Sequence, residues 1–190
     1  MSDSGESDEA LIGRYAGGDA AAFAVLYRRH ELRTWRYLER NVGNRATAEE
    51  LLQEVWFAVA RDALRYQPTA KFTTWLFAIA RNRMIDVLRS ARPQLSLDTV
   101  GYEAPAVIGQ LTTEPSVGPL EAAVVRDQAL ALNEALAQLP REQRDAFLLH
   151  LEGELSLEEI AQITGSSFEA TKSRLRYART KLRELLSEHV

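Results

Sequence analysis

The chain has 190 residues, 46% of them apolar and 26% charged; this is globular composition and excludes wholesale disorder. It holds no Cys, which excludes disulfides, thiolate metal sites, Fe–S clusters and a thiol nucleophile. The formal net charge is −4, so any affinity for nucleic acid has to be read from where the charges sit rather than from their sum.

The start, MSDSGESDEA, is acidic and polar. It has neither the basic n-region nor the apolar core of a secretory signal. No apolar run approaches the roughly 18–20 residues of a membrane span. A cytoplasmic protein is the expectation. Residues 1–7 read as an acidic disordered tail and 8–92 as a first helical module. Within it, Ala20, Phe23, Ala24, Tyr27 and Leu38 fall on a helix-like stripe over 19–40. Thr47, ahead of Glu49 and Glu50, can cap a helix from about 48 to 65 that ends near Tyr66-Gln-Pro68. Phe72, Leu76, Ile79, Val87 and Leu88 supply the apolar face of a helix over 71–90.

Residues 93–120 hold four of the six prolines and three of the ten glycines, with no Lys or Arg. Proline lacks a backbone donor and restricts its predecessor, so this stretch reads as an extended linker. A second helical module follows over 121–190. Residues 120–138 are rich in Ala and Leu, and Pro140 fits the first turn of a helix running to about Leu151, broken by Gly153. Ser156 and Glu159 form a capping-box pattern. No period-2 strand stands out, so the fold class is all-α: two small helical domains joined by a Pro/Gly-containing linker.

Charge is segregated along these elements. Residues 27–45 carry six Arg against Glu31 and Glu39, residues 81–92 four Arg against Asp86, and residues 167–186 six basic residues against Glu169 and Glu184. The last patch follows SLEEIAQITG, in which a short capped helix, the small Ala161 and the turn residue Gly165 give helix-turn-helix logic. On the helix from about 167, Phe168 and Leu175 would face inward, while Lys172, Ser173, Arg176 and Tyr177 face elsewhere and Arg174, Arg179 and Lys181 suit phosphates. Scattered basic residues on an ordinary amphipathic helix are the plain alternative.

In the first module, Glu50, Gln53 and Glu54 share one helix face beside Trp56. Such a face is either solvated or a dock for a basic protein partner. Six aromatics fall between 56 and 77, directly before ARNRMIDVLR. Rings beside Arg and Asn suit single-stranded DNA: rings stack on bases and Arg takes phosphate. The loop YQPTAK (66–71) could hold an extruded base. Phe72 and Phe77 read as core on the residues alone.

Three segments, ATAEELLQEVWFAVAR, FTTWLFAIARNRMIDVLR and LPREQRDAFLLHLEGELSLEEIAQITGSSFEATKSRLRYARTKLREL, in this order and spacing, resemble the extracytoplasmic-function (ECF) subgroup of the bacterial sigma-70 family. The resemblance implies sigma-2-like and sigma-4-like domains. It assigns Glu50, Gln53, Glu54 and Trp56 to the clamp helices of the polymerase β′ subunit. Tyr66, Lys71, Phe72, Trp75, Asn82 and Arg83 go to the −10 element, and Lys172, Ser173, Arg174, Arg176, Tyr177 and Arg179 to the −35 element. It implies core RNA polymerase (β′ clamp helices and β flap), promoter DNA and an anti-sigma factor as partners, with no cofactor, metal or small-molecule substrate. The chain departs from the family pattern at Ala170 and Thr171, where Thr then Val is common, and at Thr164, where an apolar residue is common. These departures leave the effect on −35 recognition open.

Two other classes compete. A stand-alone helix-turn-helix regulator explains 156–181 but leaves EELLQEV and the aromatic–Arg helix without a role. An enzyme is disfavoured, because His30, His150 and His189 lack metal-ligand spacing and neither GxxxxGK nor GxSxG occurs.

Overall fold

A computed structural model describes residues 5–90 and 119–187, giving only the backbone for 119–126. Among the described residues all regular structure is helical. The helices are α1 (Asp8–Ala16), α2 (Ala20–Val42), α3 (Arg45–Asp62), α4 (Phe72–Ser90), α5 (Pro119–Ala137), α6 (Arg141–Gly153), α7 (Leu157–Thr164) and α8 (Phe168–Ser187), with one 3-10 turn at Ala63–Arg65. The expected linker lies outside the described residues except at its end, where Pro119 and Leu120 already belong to α5. Ser7, expected in the tail, caps α1, and the Glu6 carboxylate pairs with Arg14; residues 1–4 lie outside the described residues.

Local chemistry sets the helix ends. Asn44, not Thr47, caps α3: its Oδ1 accepts from the Thr47 N–H at 3.0 Å, so the helix begins three residues earlier than Thr47 suggested. The start of α4 is capped from a distance, the Phe72 N–H donating to Glu9 Oε1 of α1 at 2.9 Å. Ser156 and Glu159 form the expected capping box on α7, and Gly165 ends it in the left-handed region at φ 64°. The helix that Gly153 was expected to break does end there. Gly153 is the last residue of α6, and Glu154 takes the positive φ of 53°. A Cβ on Gly153 would lie 3.3 Å from Phe77 Cδ2 and 3.0 Å from Leu155 Cγ, so the glycine permits close approach to α4.

The two halves are not independently placed bodies. Helices α1–α4 and α5–α8 share one buried cluster, in which Leu26, Tyr37, Phe72 and Phe77 of the first half join Leu136, Leu148, Leu149 and Ile160 of the second. Tyr37 is fully buried, packs edge-on against Phe77, and donates its hydroxyl to Asp145 Oδ1 of α6 at 2.8 Å. Arg81 of α4 donates to the other Asp145 oxygen at 2.7 Å and to the Ile163 carbonyl at 3.2 Å. The joint also holds polar space. A cavity of about 150 Å³ lies between the end of α2 and α5–α6, lined by Glu39, Arg40, Asn41, Asn133 and Arg144 among others.

Candidate nucleic-acid and protein interfaces

The outer face of α3 follows from helix geometry. At about 100° per residue, Glu50, Gln53, Glu54, Phe57 and Arg61 fall on one side, and all are exposed. Phe57 is 76% exposed at the middle of this face, and Leu64 just beyond it is 81% exposed. The sequence reading missed both. Trp56 is the correction: it is 4% exposed and its ring packs edge-on against Phe23 and Tyr27. Turned into the core by a rotation of one residue, it cannot form part of a docking face. The signal for Phe57 was in the spacing, since it sits four residues after Gln53 and three after Glu54.

The loop before α4 is shaped by Tyr66, whose hydroxyl donates to the Ala70 carbonyl at 2.7 Å and whose ring lies 5.2 Å from Trp75. Trp75 is half-buried, and Asn82 is exposed on the same helix. Arg83 is partly exposed beside them. Phe72 is fully buried, with its ring 5.4 Å from His30, so its assignment to the −10 element is corrected to core packing. Lys71 is exposed, but its Nζ lies 3.3 Å from Glu159 Oε1 of α7. The buried Thr74 hydroxyl donates to the same carboxylate oxygen at 2.9 Å. Burial pushes Glu159 up, but hydrogen bonds from the Ser156 N–H, Thr74 and Lys71 outweigh it and hold the group below the ordinary carboxylate range.

On α8, Lys172, Arg176, Arg179 and Arg183 recur at spacings of three and four and form an exposed basic stripe; Arg183 was not singled out from sequence. Arg176 lies 5.0 Å over the Tyr177 ring. Arg179 Nη2 meets His150 Nε2 at 2.8 Å, while His150 Nδ1 faces the Leu155 carbonyl at 3.0 Å. The carbonyl requires a proton on Nδ1, which leaves Nε2 as the acceptor for Arg179. Arg174 points off the far flank of the helix and is held by Glu142 of α6 at 2.5 Å, so it does not share the stripe. Ser173 is half-buried. Phe168, expected to face inward, is 40% exposed.

The departures at Thr164 and Thr171 are coupled. The Thr171 hydroxyl is fully buried and meets Ser166 Oγ at 2.8 Å, which meets Thr164 Oγ1 at 2.8 Å. Thr164 in turn donates to the Ile160 carbonyl at 2.8 Å. Each hydroxyl has one proton, so the relay runs from Thr171 to Ser166 to Thr164 to the carbonyl. The polar side chain inside the helix-turn-helix is thereby satisfied. The described residues contain no group of three His, Asp or Glu able to hold a metal. None of the described helices is long and apolar enough to cross a membrane.

Comparison with known proteins gives two family matches, sigma-70 region 2 over residues 26–94 and sigma-70 region 4 over residues 129–182. The chain is 36% identical over 177 residues to the RNA polymerase sigma factor CarQ of Myxococcus xanthus, covering 92% of this chain and 95% of that one. It is 29% identical over 173 residues to the ECF RNA polymerase sigma factor SigW of Bacillus subtilis, covering 90% and 92%. Among solved structures it shares its fold with the sigma factor RpoE of Bartonella quintana, solved with the anti-sigma factor NepR (TM-score 0.69, 23% identity, 87% of this chain and 96% of that one). It also shares the fold of CnrH, solved with the cytosolic domain of CnrY (TM-score 0.65, 24% identity, 97% and 100%).

Proposed function

We propose a division of labour among these surfaces for a chain that belongs to the ECF subgroup of the sigma-70 family of RNA polymerase sigma factors. As such it is a transcription initiation factor that binds core polymerase and directs it to promoters. The residues 8–92 form the sigma-2-like unit and 121–190 the sigma-4-like unit, joined by 93–120. The face of α3 made by Glu50, Gln53, Glu54 and Phe57 docks on the β′ clamp helices. A ring that is 76% exposed, edged by acids and an amide, supports this, because a desolvated aromatic anchor within a polar rim is how binding energy concentrates.

Strand capture falls to Tyr66, Lys71, Trp75, Asn82 and Arg83. Trp75 and Tyr66 offer ring faces on which an extruded base of the −10 element stacks, and Lys71 and Arg83 neutralise its phosphates. The stripe of Lys172, Arg176 and Arg179, with Ser173 and Tyr177 at its edge, enters the major groove of the −35 element. Arg174 instead ties α8 to the first turn of α6 through Glu142. The β flap receives the sigma-4-like unit. The chain does no chemistry of its own; its work is positioning, and its compartment is the cytoplasm. An anti-sigma factor, as in the RpoE structure, would act by holding the halves together.

The observation that carries this reading is the combination, in one half, of the α3 face with the aromatic loop next to α4. A stand-alone helix-turn-helix regulator has no use for either. Run-off transcription tests it. Purified chain and core polymerase on a genomic template should give discrete start sites preceded by shared −35 and −10 sequences. The absence of any chain-dependent start would refute the proposal. Replacing Gln53 and Glu54 together by Ala should lower polymerase affinity and leave duplex −35 binding unchanged.

A further inference from the structure

The ion pairs described between the halves run one way. Arg33 pairs with Glu154 at 2.6 Å, Arg40 with Glu152 at 2.5 Å, Lys71 with Glu159 at 3.3 Å and Arg81 with Asp145 at 2.7 Å. Every cation comes from α2, α4 or the loop before α4, and every anion from α6, α7 or the turn between them. We propose that the α6–α7 face is an intramolecular polyanion. In the closed chain its carboxylates occupy cations that the phosphates of a promoter strand take in the open one, so closure and strand binding exclude each other. This rests on the assignment of Lys71 and its loop to the −10 strand.

The segregation of charge along the sequence gives the proposal its reach. The six Arg of 27–45 and the four of 81–92 lack enough local acids to balance them. The structure supplies carboxylates from a segment more than sixty residues away along the chain for three of those arginines. Asp145 and Glu152 are seven residues apart on α6, two turns on one face, about 10 Å along the axis. That places anionic groups in a row, as a nucleic-acid strand does.

The pairs are suited to being exchanged. Burial pushes the Arg40 guanidinium down and the Glu152 carboxyl up, so this pair is held against a desolvation cost. Arg33 is half-buried and Glu154 exposed; their mutual hydrogen bond raises Arg33 and lowers Glu154. A pair in that position weakens with salt. No described ion pair ties the basic stripe of α8 to the first half, so that stripe stays out of the exchange.

The test uses the full chain. Because it has no Cys, single cysteines at the exposed Ala46 and Thr180 accept a donor and an acceptor dye without side reactions. Energy transfer should be high at low salt, and should fall with added KCl and with a short mixed-sequence single strand of DNA. In the triple variant Glu152→Gln, Glu154→Gln, Glu159→Gln, transfer should be low without DNA and strand affinity should rise by about tenfold. Gln at 159 keeps the capping box available. The dependence of log affinity on log salt should steepen in the variant, by roughly 0.7 for each cation freed from its carboxylate.

The proposal is overturned if the variant binds the strand with wild-type affinity and salt slope, whether or not it opens. It is overturned equally if saturating strand leaves wild-type transfer unchanged. Should the variant fail to fold, the wild-type salt titration decides: transfer that is independent of KCl refutes the latch. Start sites in run-off transcription would survive such a failure, so the two readings fall separately.

Discussion

Replacing Ser166 by Ala cuts the hydroxyl relay of the helix-turn-helix at its middle. Thr171 is fully buried and its hydroxyl loses its acceptor at 2.8 Å. Leaving a buried donor unmade costs about 1–3 kcal/mol. The Thr164 hydroxyl loses only a donor and keeps the Ile160 carbonyl, so little is added on that side. Replacing Thr171 by Val in the same chain removes the stranded group with an isosteric apolar one, and exchanging both partners of a hydrogen bond is close to neutral. The double variant should therefore be more stable than Ser166→Ala alone by about 1–2 kcal/mol. Urea titration with far-UV circular dichroism, under conditions giving a single transition, reads this directly; the thermal midpoint should move by roughly 2–4 °C per kcal/mol. The relay links the end of α7 to the start of α8, so Ser166→Ala should also weaken −35 duplex binding. If the double variant is as unstable as Ser166→Ala, the relay does not satisfy Thr171 and the reasoning fails.

Adjacent aromatics on α3 should behave oppositely. Trp56→Ala, emptying a buried site between Phe23 and Tyr27, should cost about 3–5 kcal/mol in urea unfolding. Phe57→Ala, at a surface position, should stay within about 0.5 kcal/mol and yet weaken capture of core polymerase. Glu9→Ala removes the distant cap on α4 and should cost about 0.5–2 kcal/mol; a stability equal to wild type would show that the Phe72 N–H finds another acceptor. Burial pushes Asp8 up, but hydrogen bonds from His30 and Arg29 prevail and hold it below the ordinary carboxylate range. A carboxylate lowered in the folded state contributes stability that is complete above its unfolded value and is lost as pH falls through its folded value. The stability gap between wild type and Asp8→Asn should accordingly hold down to about pH 5 and close as pH falls below the ordinary carboxylate value of 3.8; a gap independent of pH would contradict the pairing.

Local chemistry was legible where the signal is local. The capping box of Ser156 and Glu159, the turn at Gly165 and the apolar stripe of α4 depend on residues within one or two turns, and periodicity or side-chain reach reveals them; on α2 the expected stripe is displaced, with Ala20 and Ala24 exposed and Ala22 and Leu26 buried in their place. The sequence reading names only Thr47 as the cap of α3, although Asn44 carries an equally suitable side chain three residues earlier and is the one that accepts from a helix N–H. Trp56 and Phe57 differ by one residue and by about 100°, and which one turns inward was decided by Phe23 and Tyr27 on another helix. The closed joint was illegible for the same reason. Glu159 meets Thr74 across 85 positions of the chain, and no spacing rule connects them. The exposed acidic face of α3 and the α8 stripe were largely visible as charge at helical spacing, whereas Arg174 left the stripe because Glu142 stands beside it.

The account turns on a strand being captured only when polymerase sets the distance between the two DNA-reading units. Permanganate reactivity of thymines across the −10 element of a mapped promoter measures this most directly. Reactive thymines should be present with chain and core polymerase together and absent with either alone, and they should be lost when Trp75 is replaced by Ala. Strand opening by the chain alone, or a closed −10 element with both components present, would contradict it.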